Sequence, residues 1–313
     1  KRSGRPSTAS AFLIAVEYST INIIQLLIKH GANINHIASI PTALASILYS
    51  AMDIAYERGR SNVIKLLIRK GISKNICIQA LQKAILANNK EVENLLLNYG
   101  VPDPTKNIKY TGYHSYLGQV LLSGNVRVIN RMIRNGLNIN SVMISPCGLY
   151  KTPLLISAIG NKKNELAKYL ITNGANVNIK AYRGYTPLMY AADLGNTEII
   201  KLLLNKGAKV NIKNENGERA IDIAYWKGHT KIVKTLKNVG AILQNLPVKE
   251  QQLIIAIKHG NLAGVKIALN KGLNVNTRGE YDKTLLILAC QTKHVNIIKY
   301  LISKGADVNA KNK

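Results

Sequence analysis

Histidine and cysteine are the residue types best suited to bind a metal or act in catalysis, and their spacing here supports neither role. No two of the six histidines lie four residues apart, as a helical metal pair requires; they are His30, His36, His114, His229, His259 and His294. The three cysteines stand far apart without a Cys-x-x-Cys pair, which is typical of structural thiols in a reducing compartment (Cys77, Cys147 and Cys290). A glycine-rich phosphate loop is also missing. The sequence therefore predicts no enzyme activity, no cofactor and no metal.

The charge balance says more about partners than about chemistry. The chain carries 43 basic and 16 acidic residues, a formal net charge of +27. A field of this size attracts acidic surfaces. Isoleucine, lysine, asparagine and tyrosine are all abundant and share A/T-rich codons, so codon bias is a second explanation for the lysines. We expect a protein partner with an acidic surface and favour nucleic acid less.

No apolar run approaches the roughly 20 residues of a membrane helix, since runs such as residues 154–159 break within two turns. The basic residues Lys1, Arg2 and Arg5 lead into ordinary helix-like sequence rather than a secretory signal. The sequence predicts no transmembrane segment, and a location in the cytoplasm or, after delivery, inside a host cell.

A five-residue phrase of the type Gly-Ala-Asn-Val-Asn recurs along the chain. Clear copies begin at Gly31, Gly174, Gly207, Gly272 and Gly305, and weaker ones at Gly71, Gly100, Gly136 and Gly240. The last four spacings are 33, 33, 32 and 33 residues, whereas the first four vary from 29 to 40. Each glycine follows an apolar run with helical spacing, where a left-handed residue closes a helix. The phrase therefore marks the end of a helix in each repeat.

Two further columns complete the repeat. Turn-forming residues stand 12 positions before most of the glycines, and alanine stands 16 positions before eight of the nine. An alanine in this place indicates two helices in close contact, because a larger side chain would force them apart. Each unit is therefore predicted to be a short helix, a tight turn, a longer helix and an extended segment, and neighbouring units share one core.

The segment Gly-Tyr-Thr-Pro-Leu-Met-Tyr-Ala-Ala at 184–192, followed by Gly195 and the apolar helix 198–204, resembles an ankyrin repeat. Thr-Pro-Leu at 152–154 begins a second copy. The resemblance implies an all-α solenoid of about nine helix–turn–helix units with short β-hairpin connections. It predicts about four irregular units in residues 1–146 and about five regular ones in residues 147–313, continuous as one solenoid. About seven extra residues near 37–46 should lengthen a helix or form a protruding loop.

The family resemblance also implies where a partner binds: on the concave face, at hairpin tips and at the exposed ends of first helices. The corresponding positions are Tyr182, Arg183, Tyr185, Asp193, Leu194, Lys213, Glu215, Asn216, Trp226, Lys227, Lys258, His259, Tyr281, Lys283 and Gln291. Trp226 lies two residues before the turn glycine Gly228, where we expect an exposed side chain. Exposed tryptophan, tyrosine and arginine dominate interface energies, so Tyr182, Arg183, Tyr185, Trp226 and Lys227 form the predicted hot spot. Alternatively, Tyr225 and Trp226 only cover the seam between two units.

Two further sets of residues recur with the repeat. Lysines recur six positions before the closing glycines, at Lys65, Lys168, Lys201, Lys234, Lys266 and Lys299; they either follow an acidic partner or are solvated helix formers. The hairpin asparagines Asn178, Asn211, Asn276 and Asn309 resemble substrates of ankyrin-directed asparagine hydroxylases.

The sequence thus predicts a monomeric protein-interaction scaffold. The abundance of amino acids with A/T-rich codons, together with the eukaryote-like repeats, indicates a host-directed effector of an intracellular bacterium or virus. One alternative is an anion-binding module that docks on nucleic acid or acidic membranes through its lysines. Another is the non-catalytic recognition part of a larger enzyme.

Overall fold

A computed structural model describes residues 10–41, 46–106, 115–144, 151–243, 250–279 and 283–311. The chain divides into two compact units, one of residues 1–110 with 127–137 and the other of residues 111–126 with 138–313. The predicted boundary at residues 146/147, and the prediction of one continuous solenoid, stay predictions.

The described residues contain 18 α-helices that follow one another as nine pairs. They are α1 Ala11–Tyr18, α2 Ile21–Lys29, α3 Ala51–Glu57, α4 Ser61–Arg69, α5 Lys74–Ala87, α6 Lys90–Asn98, α7 Tyr116–Ser123, α8 Val126–Arg134, α9 Leu154–Gly160, α10 Asn164–Thr172, α11 Pro187–Asp193, α12 Thr197–Asn205, α13 Ala220–Trp226, α14 Thr230–Asn238, α15 Glu250–Lys258, α16 Leu262–Asn270, α17 Leu285–Gln291 and α18 Val295–Ser303. The predicted all-α repeat fold is confirmed.

The glycine that closes each repeat has the predicted left-handed backbone. All nine closing glycines, from Gly31 to Gly305, have φ between +76° and +100°. The residues 12 positions before these glycines also have left-handed backbone in eight of the nine repeats, and the exception is Ser19, whose backbone is extended. Three of these eight, Asn88, Lys162 and Lys293, are not glycine. Left-handed backbone at two separate points in most repeats is what ends one helix and then the other.

The alanine column forms the contact between neighbouring helices. Its members Ala15, Ala55, Ala84, Val120, Ala158, Ala191, Ala224, Ala256 and Ala289 are all buried, each with at most 4% of its surface exposed. In the second compact unit, consecutive first helices α9, α11, α13, α15 and α17 pack in series, and each also packs on its own second helix. The core therefore lies between the two rows of helices.

Two antiparallel hairpins stand where the sequence departs from the regular repeat. Strands β1 Ile37–Pro41 and β2 Ser46–Ser50 pair with Ile37 opposite Ser50. Strands β3 Val142–Ile144 and β4 Lys151–Pro153 pair with Val142 opposite Pro153. The extra residues near 37–46 therefore do not lengthen a helix as one expectation held. Isoleucine, leucine and tyrosine favour an extended strand here.

Candidate functional site

Three hairpin asparagines of the second compact unit each connect one repeat to the next. The Asn178 side chain accepts a hydrogen bond from the Lys209 backbone nitrogen at 2.7 Å and donates to the Gly207 carbonyl at 3.1 Å. Asn211 and Asn276 make the same two contacts one repeat and three repeats later, with distances of 2.9–3.3 Å. These three amides therefore have a structural role, since each makes two hydrogen bonds to the backbone of the following repeat. Asn309 is exposed, and whether any of the four is hydroxylated stays a prediction.

The tips of two successive hairpins lie side by side. Tyr182–Gly184 forms a 3₁₀ turn in which Arg183 has a left-handed backbone with φ of +57°. The Glu215 backbone nitrogen donates to the Arg183 carbonyl at 3.0 Å, which joins the two tips. The ring of Tyr182 is 50% exposed, and the Arg183 guanidinium carbon stands 5.3 Å from its centroid. Lys213 and Asn216, also predicted contact residues, are exposed beside them.

A buried asparagine organises the second of these tips. Asn214 Oδ1 accepts from the backbone nitrogens of Asn216 and Glu218 at 3.0 and 2.8 Å, and Asn214 Nδ2 donates to the Glu218 carboxylate at 3.0 Å. Gly184 has φ of +73°, a left-handed backbone that glycine adopts without strain, and it packs against the Asn214 backbone. Both tips are therefore fixed in position by their own hydrogen bonds.

Tyr185 is half-buried rather than fully exposed to solvent. Its ring meets the Tyr190 ring edge-on at 5.5 Å between centroids. Burial and the nearby carboxylates of Glu218 and Asp193 raise the pKa of its hydroxyl. Tyr185 therefore supports the hairpin and presents only part of its surface.

Polar side chains at the turns between first and second helices contact the turn of the preceding repeat. Lys227 Nζ lies 3.1 Å from the Asp193 carboxylate of the preceding repeat. The His229 Nε2 donates to the Asp193 carbonyl at 3.3 Å, and His294 makes the same contact with the Lys258 carbonyl. Asn261 takes the equivalent place between them and donates to the Tyr225 carbonyl at 2.5 Å. Leu194, beside Asp193, is partly exposed.

Trp226 is buried, and the expectation of an exposed side chain is wrong. Only 7% of its surface is exposed, and it belongs to a core cluster with Leu253, Ala256 and Ile257 of α15. Its ring also meets the Tyr225 ring edge-on at 5.3 Å. The alternative, in which the two aromatic side chains cover the seam to the next repeat, describes this arrangement.

The remaining predicted contact residues lie on α15, α17 and the hairpin between their repeats. Lys258, His259 and Gln291 are exposed, and Lys283 is partly exposed and donates to the Gln291 side chain at 3.2 Å. Burial together with the positive Lys227 and the neighbouring His229 lowers the pKa of His259. Tyr281 lies outside the described residues.

A shallow pocket that sequence reasoning missed lies among these residues. It encloses about 210 Å³ and is lined by Ile254, Lys258, Gly279, Lys283, Leu285, Leu288 and Gln291. Three of the seven had been predicted as contact residues. The apolar ones follow the core periodicity of α15 and α17, so no pattern separates them from ordinary core residues.

Comparisons with known proteins agree with this architecture. The family model for ankyrin repeats in three copies matches residues 117–214, 154–245 and 221–312. Because these matches together cover more than half of the 313 residues, the chain belongs to the ankyrin-repeat family. An ankyrin-repeat array is a protein–protein interaction module and generally a non-catalytic scaffold.

Matches to curated relatives are short. The chain is similar over 53 residues to alpha-latrotoxin-Lhe1a of Latrodectus hesperus, at 42% identity, covering 17% of this chain and 4% of the toxin. It is 38% identical over 55 residues to ankyrin repeat domain-containing protein 29 of Homo sapiens, covering 17% and 18%. It is 40% identical over 57 residues to protein phosphatase 1 regulatory subunit 27 of Homo sapiens, covering 18% and 37%. The chain thus spans well under half the length of these relatives.

The parts of the chain that the structure describes contain no helix both long and apolar enough to cross a membrane.

Proposed function

We propose that the second compact unit binds a protein partner through its hairpin tips and the adjoining turns. The observation that carries this proposal is the Tyr182–Arg183 pair, in which an exposed ring is covered by a guanidinium on a tip bonded to its neighbour. Tyrosine and arginine are over-represented among residues that dominate interface energies. A tip whose backbone is already held by hydrogen bonds loses less conformational entropy on binding, which favours affinity.

The left-handed backbone of Arg183 supports the same conclusion. A residue with a side chain costs about 1–2 kcal/mol in this conformation relative to glycine. Strain of this kind persists where surrounding structure enforces it, and it clusters at functional sites. The hydrogen bond from Glu215 to the Arg183 carbonyl enforces it here.

The charge around this surface favours a partner with an acidic face. Arg183, Lys213, Lys227 and Lys258 lie at the tips or turns, and Lys227 forms an ion pair with Asp193. The net charge of +27 adds a field that speeds association with acidic proteins. We propose that the chain acts as a monomer inside a cell, as a host-directed effector.

A pull-down with two tip variants tests the binding surface. The chain serves as bait for nuclease-treated lysates of eukaryotic and of bacterial cells, with washes at low and high salt. A retained protein is then purified and its Kd is measured by calorimetry against wild type, Tyr182→Ser and Arg183→Gly. We expect each substitution to weaken binding by about tenfold or more, because each removes an anchor of the tip.

The matched control is Tyr99→Ser. Tyr99 is 40% exposed and its hydroxyl accepts from Arg69 Nε at 3.2 Å, but it caps the second helix α6 in the first compact unit. We expect this variant to bind as wild type does. Equal affinities for wild type and both tip variants would contradict the proposed surface, and capture from bacterial lysate alone would contradict the host-directed role.

A second candidate function is docking on an anionic polymer through the lysines of the second helices. Lys201, Lys234, Lys266 and Lys299 are exposed on successive second helices, whereas Lys168 is paired with Glu165 and Glu198. A phosphate-binding mode would lose affinity steeply with salt, whereas anchoring by Tyr182 would not. The second candidate would be favoured if the chain captures nucleic acid, if high salt removes that nucleic acid, and if Tyr182→Ser does not change the amount captured.

A further inference from the structure

The pocket between α15 and α17 combines an apolar floor with a cationic rim. Ile254, Leu285 and Leu288 supply the apolar surface. Lys258 and Lys283 stand at the rim, where Lys283 is oriented by its hydrogen bond to the Gln291 amide oxygen. An apolar cavity with a few placed polar groups is the usual composition of a binding pocket.

Glycine at position 279 gives this pocket one of its walls. A Cβ there would lie 2.7 Å from the Ile254 Cδ1, so any larger residue would have to displace the end of the Ile254 side chain. The Gly279 backbone nitrogen donates to the Lys283 carbonyl at 2.9 Å, and Arg278 bridges to Thr284. The backbone of the wall is therefore held by hydrogen bonds, and the Lys283 side chain at the rim is oriented by Gln291.

The volume decides the size of the occupant. At about 210 Å³ the pocket has room for one large side chain but not for a helix or a folded element. The floor selects an apolar side chain, and the rim selects a negative charge beside it. The lowered pKa of His259, caused by burial and by Lys227, is consistent with a positive local field next to Lys258.

We propose that this pocket anchors a leucine-like side chain of an extended, acidic segment of the partner, with carboxylates on either side of that residue meeting Lys258 and Lys283. The inference rests on the proposed function, because it names the chemistry of the segment that the same unit binds. The apolar residue supplies contact area, and the flanking carboxylates supply orientation and attraction.

Fluorescence anisotropy with three labelled peptides tests the pocket. The first peptide carries one leucine flanked by glutamates on both sides. The second has glycine in place of the leucine, and the third has glutamines in place of the glutamates. The full chain should bind the first peptide about tenfold more tightly than either of the others, since each loses one of the two contributions.

Charge-matched variants separate the pocket from the general field. Lys283→Glu and Lys299→Glu change the net charge equally, but Lys299 lies on the second helix α18, away from the pocket. We expect Lys283→Glu to weaken binding of the leucine peptide by about tenfold and Lys299→Glu by about twofold or less. Leu288→Gln should weaken the leucine peptide and leave the glycine peptide unchanged, with far-UV circular dichroism showing that each variant is folded.

Three outcomes would overturn the inference. They are equal losses for Lys283→Glu and Lys299→Glu, equal affinities for the leucine and glycine peptides, and no detectable binding of any peptide at low salt. Failure of this inference is distinguishable from failure of the proposed function, which equal affinities for wild type, Tyr182→Ser and Arg183→Gly would show. If the identified partner loses affinity with Tyr182→Ser but not with Lys283→Glu or Leu288→Gln, the binding surface stands and the pocket anchor does not.

Discussion

Gly195→Ala is the substitution that most directly tests how consecutive repeats are joined. Gly195 has φ of +72°, and a Cβ there would lie 2.7 Å from the His229 Cε1 of the next repeat. The left-handed backbone costs an alanine about 1–2 kcal/mol, of which about 0.5–1 kcal/mol is offset because alanine loses less entropy on folding. Displacing the imidazole also loses its hydrogen bond to the Asp193 carbonyl, worth about 0.5–1.5 kcal/mol. We expect a total destabilisation of about 1–2.5 kcal/mol.

A matched glycine isolates the steric part of this loss. Gly207 has a similar φ of +81°, but a Cβ there would meet nothing within 4 Å. Gly207→Ala should therefore cost only the net backbone amount, about 0.5–1 kcal/mol. In a His229→Ala background, Gly195→Ala should fall to that same value, which gives a coupling free energy of about 1 kcal/mol between the two positions.

The assay is urea unfolding followed by far-UV circular dichroism for the four members of the Gly195/His229 cycle and for Gly207→Ala. Additive losses at Gly195 and His229, or equal losses for Gly195→Ala and Gly207→Ala, would refute the argument. Either result would mean that the imidazole moves aside without cost and that His229 does not hold the two repeats together.

Two further predictions concern charge and backbone strain. In the first compact unit, burial raises the pKa of Glu93 and of Asp103, but hydrogen bonds from Lys90 and Arg131 to Glu93, and from Thr105 and Arg131 to Asp103, outweigh it and lower both values. The stabilisation that the two carboxylates contribute is complete above pH 4.5 and is lost as the pH falls below 3.8, through their lowered pKa values. Arg131→Met should therefore reduce the free energy of unfolding by about 2–3 kcal/mol at pH 7 and make it fall less steeply in acid. Urea unfolding at a series of pH values measures both effects. Lys293 has φ of +59° where three regular repeats have glycine, so Lys293→Gly should stabilise by about 0.5–1 kcal/mol in the same assay, and a destabilisation would contradict the strain.

The repeat boundaries could be predicted because they depend on local backbone conformation. A glycine that closes a helix is visible in the sequence whatever packs around it, and all nine predicted positions have left-handed backbone. The alanine column was predictable for a similar reason, since only a small side chain fits between touching helices and its burial follows. The choice between a longer helix and a protruding segment near residues 37–46 could not be made, because an insertion has no repeat partner against which to align it.

The direction of a long side chain is not decided by its column, and Trp226 shows why. The residues that occupy the same place two positions before the turn in neighbouring repeats are Asp193, Lys258 and Gln291, and all three are at least partly exposed. That column lies at the edge of the first-helix surface, so a charged side chain turns toward water while an indole gains more by leaning onto the next repeat. Leu253 and Ile257, which belong to the same core cluster as Trp226, lie in the next repeat, more than 25 residues away. A repeat pattern therefore predicts which columns lie at the surface, and the neighbouring repeat decides which of their residues stay exposed. Here Tyr182 and Arg183 are exposed and Lys283 is partly exposed, whereas Trp226 is buried.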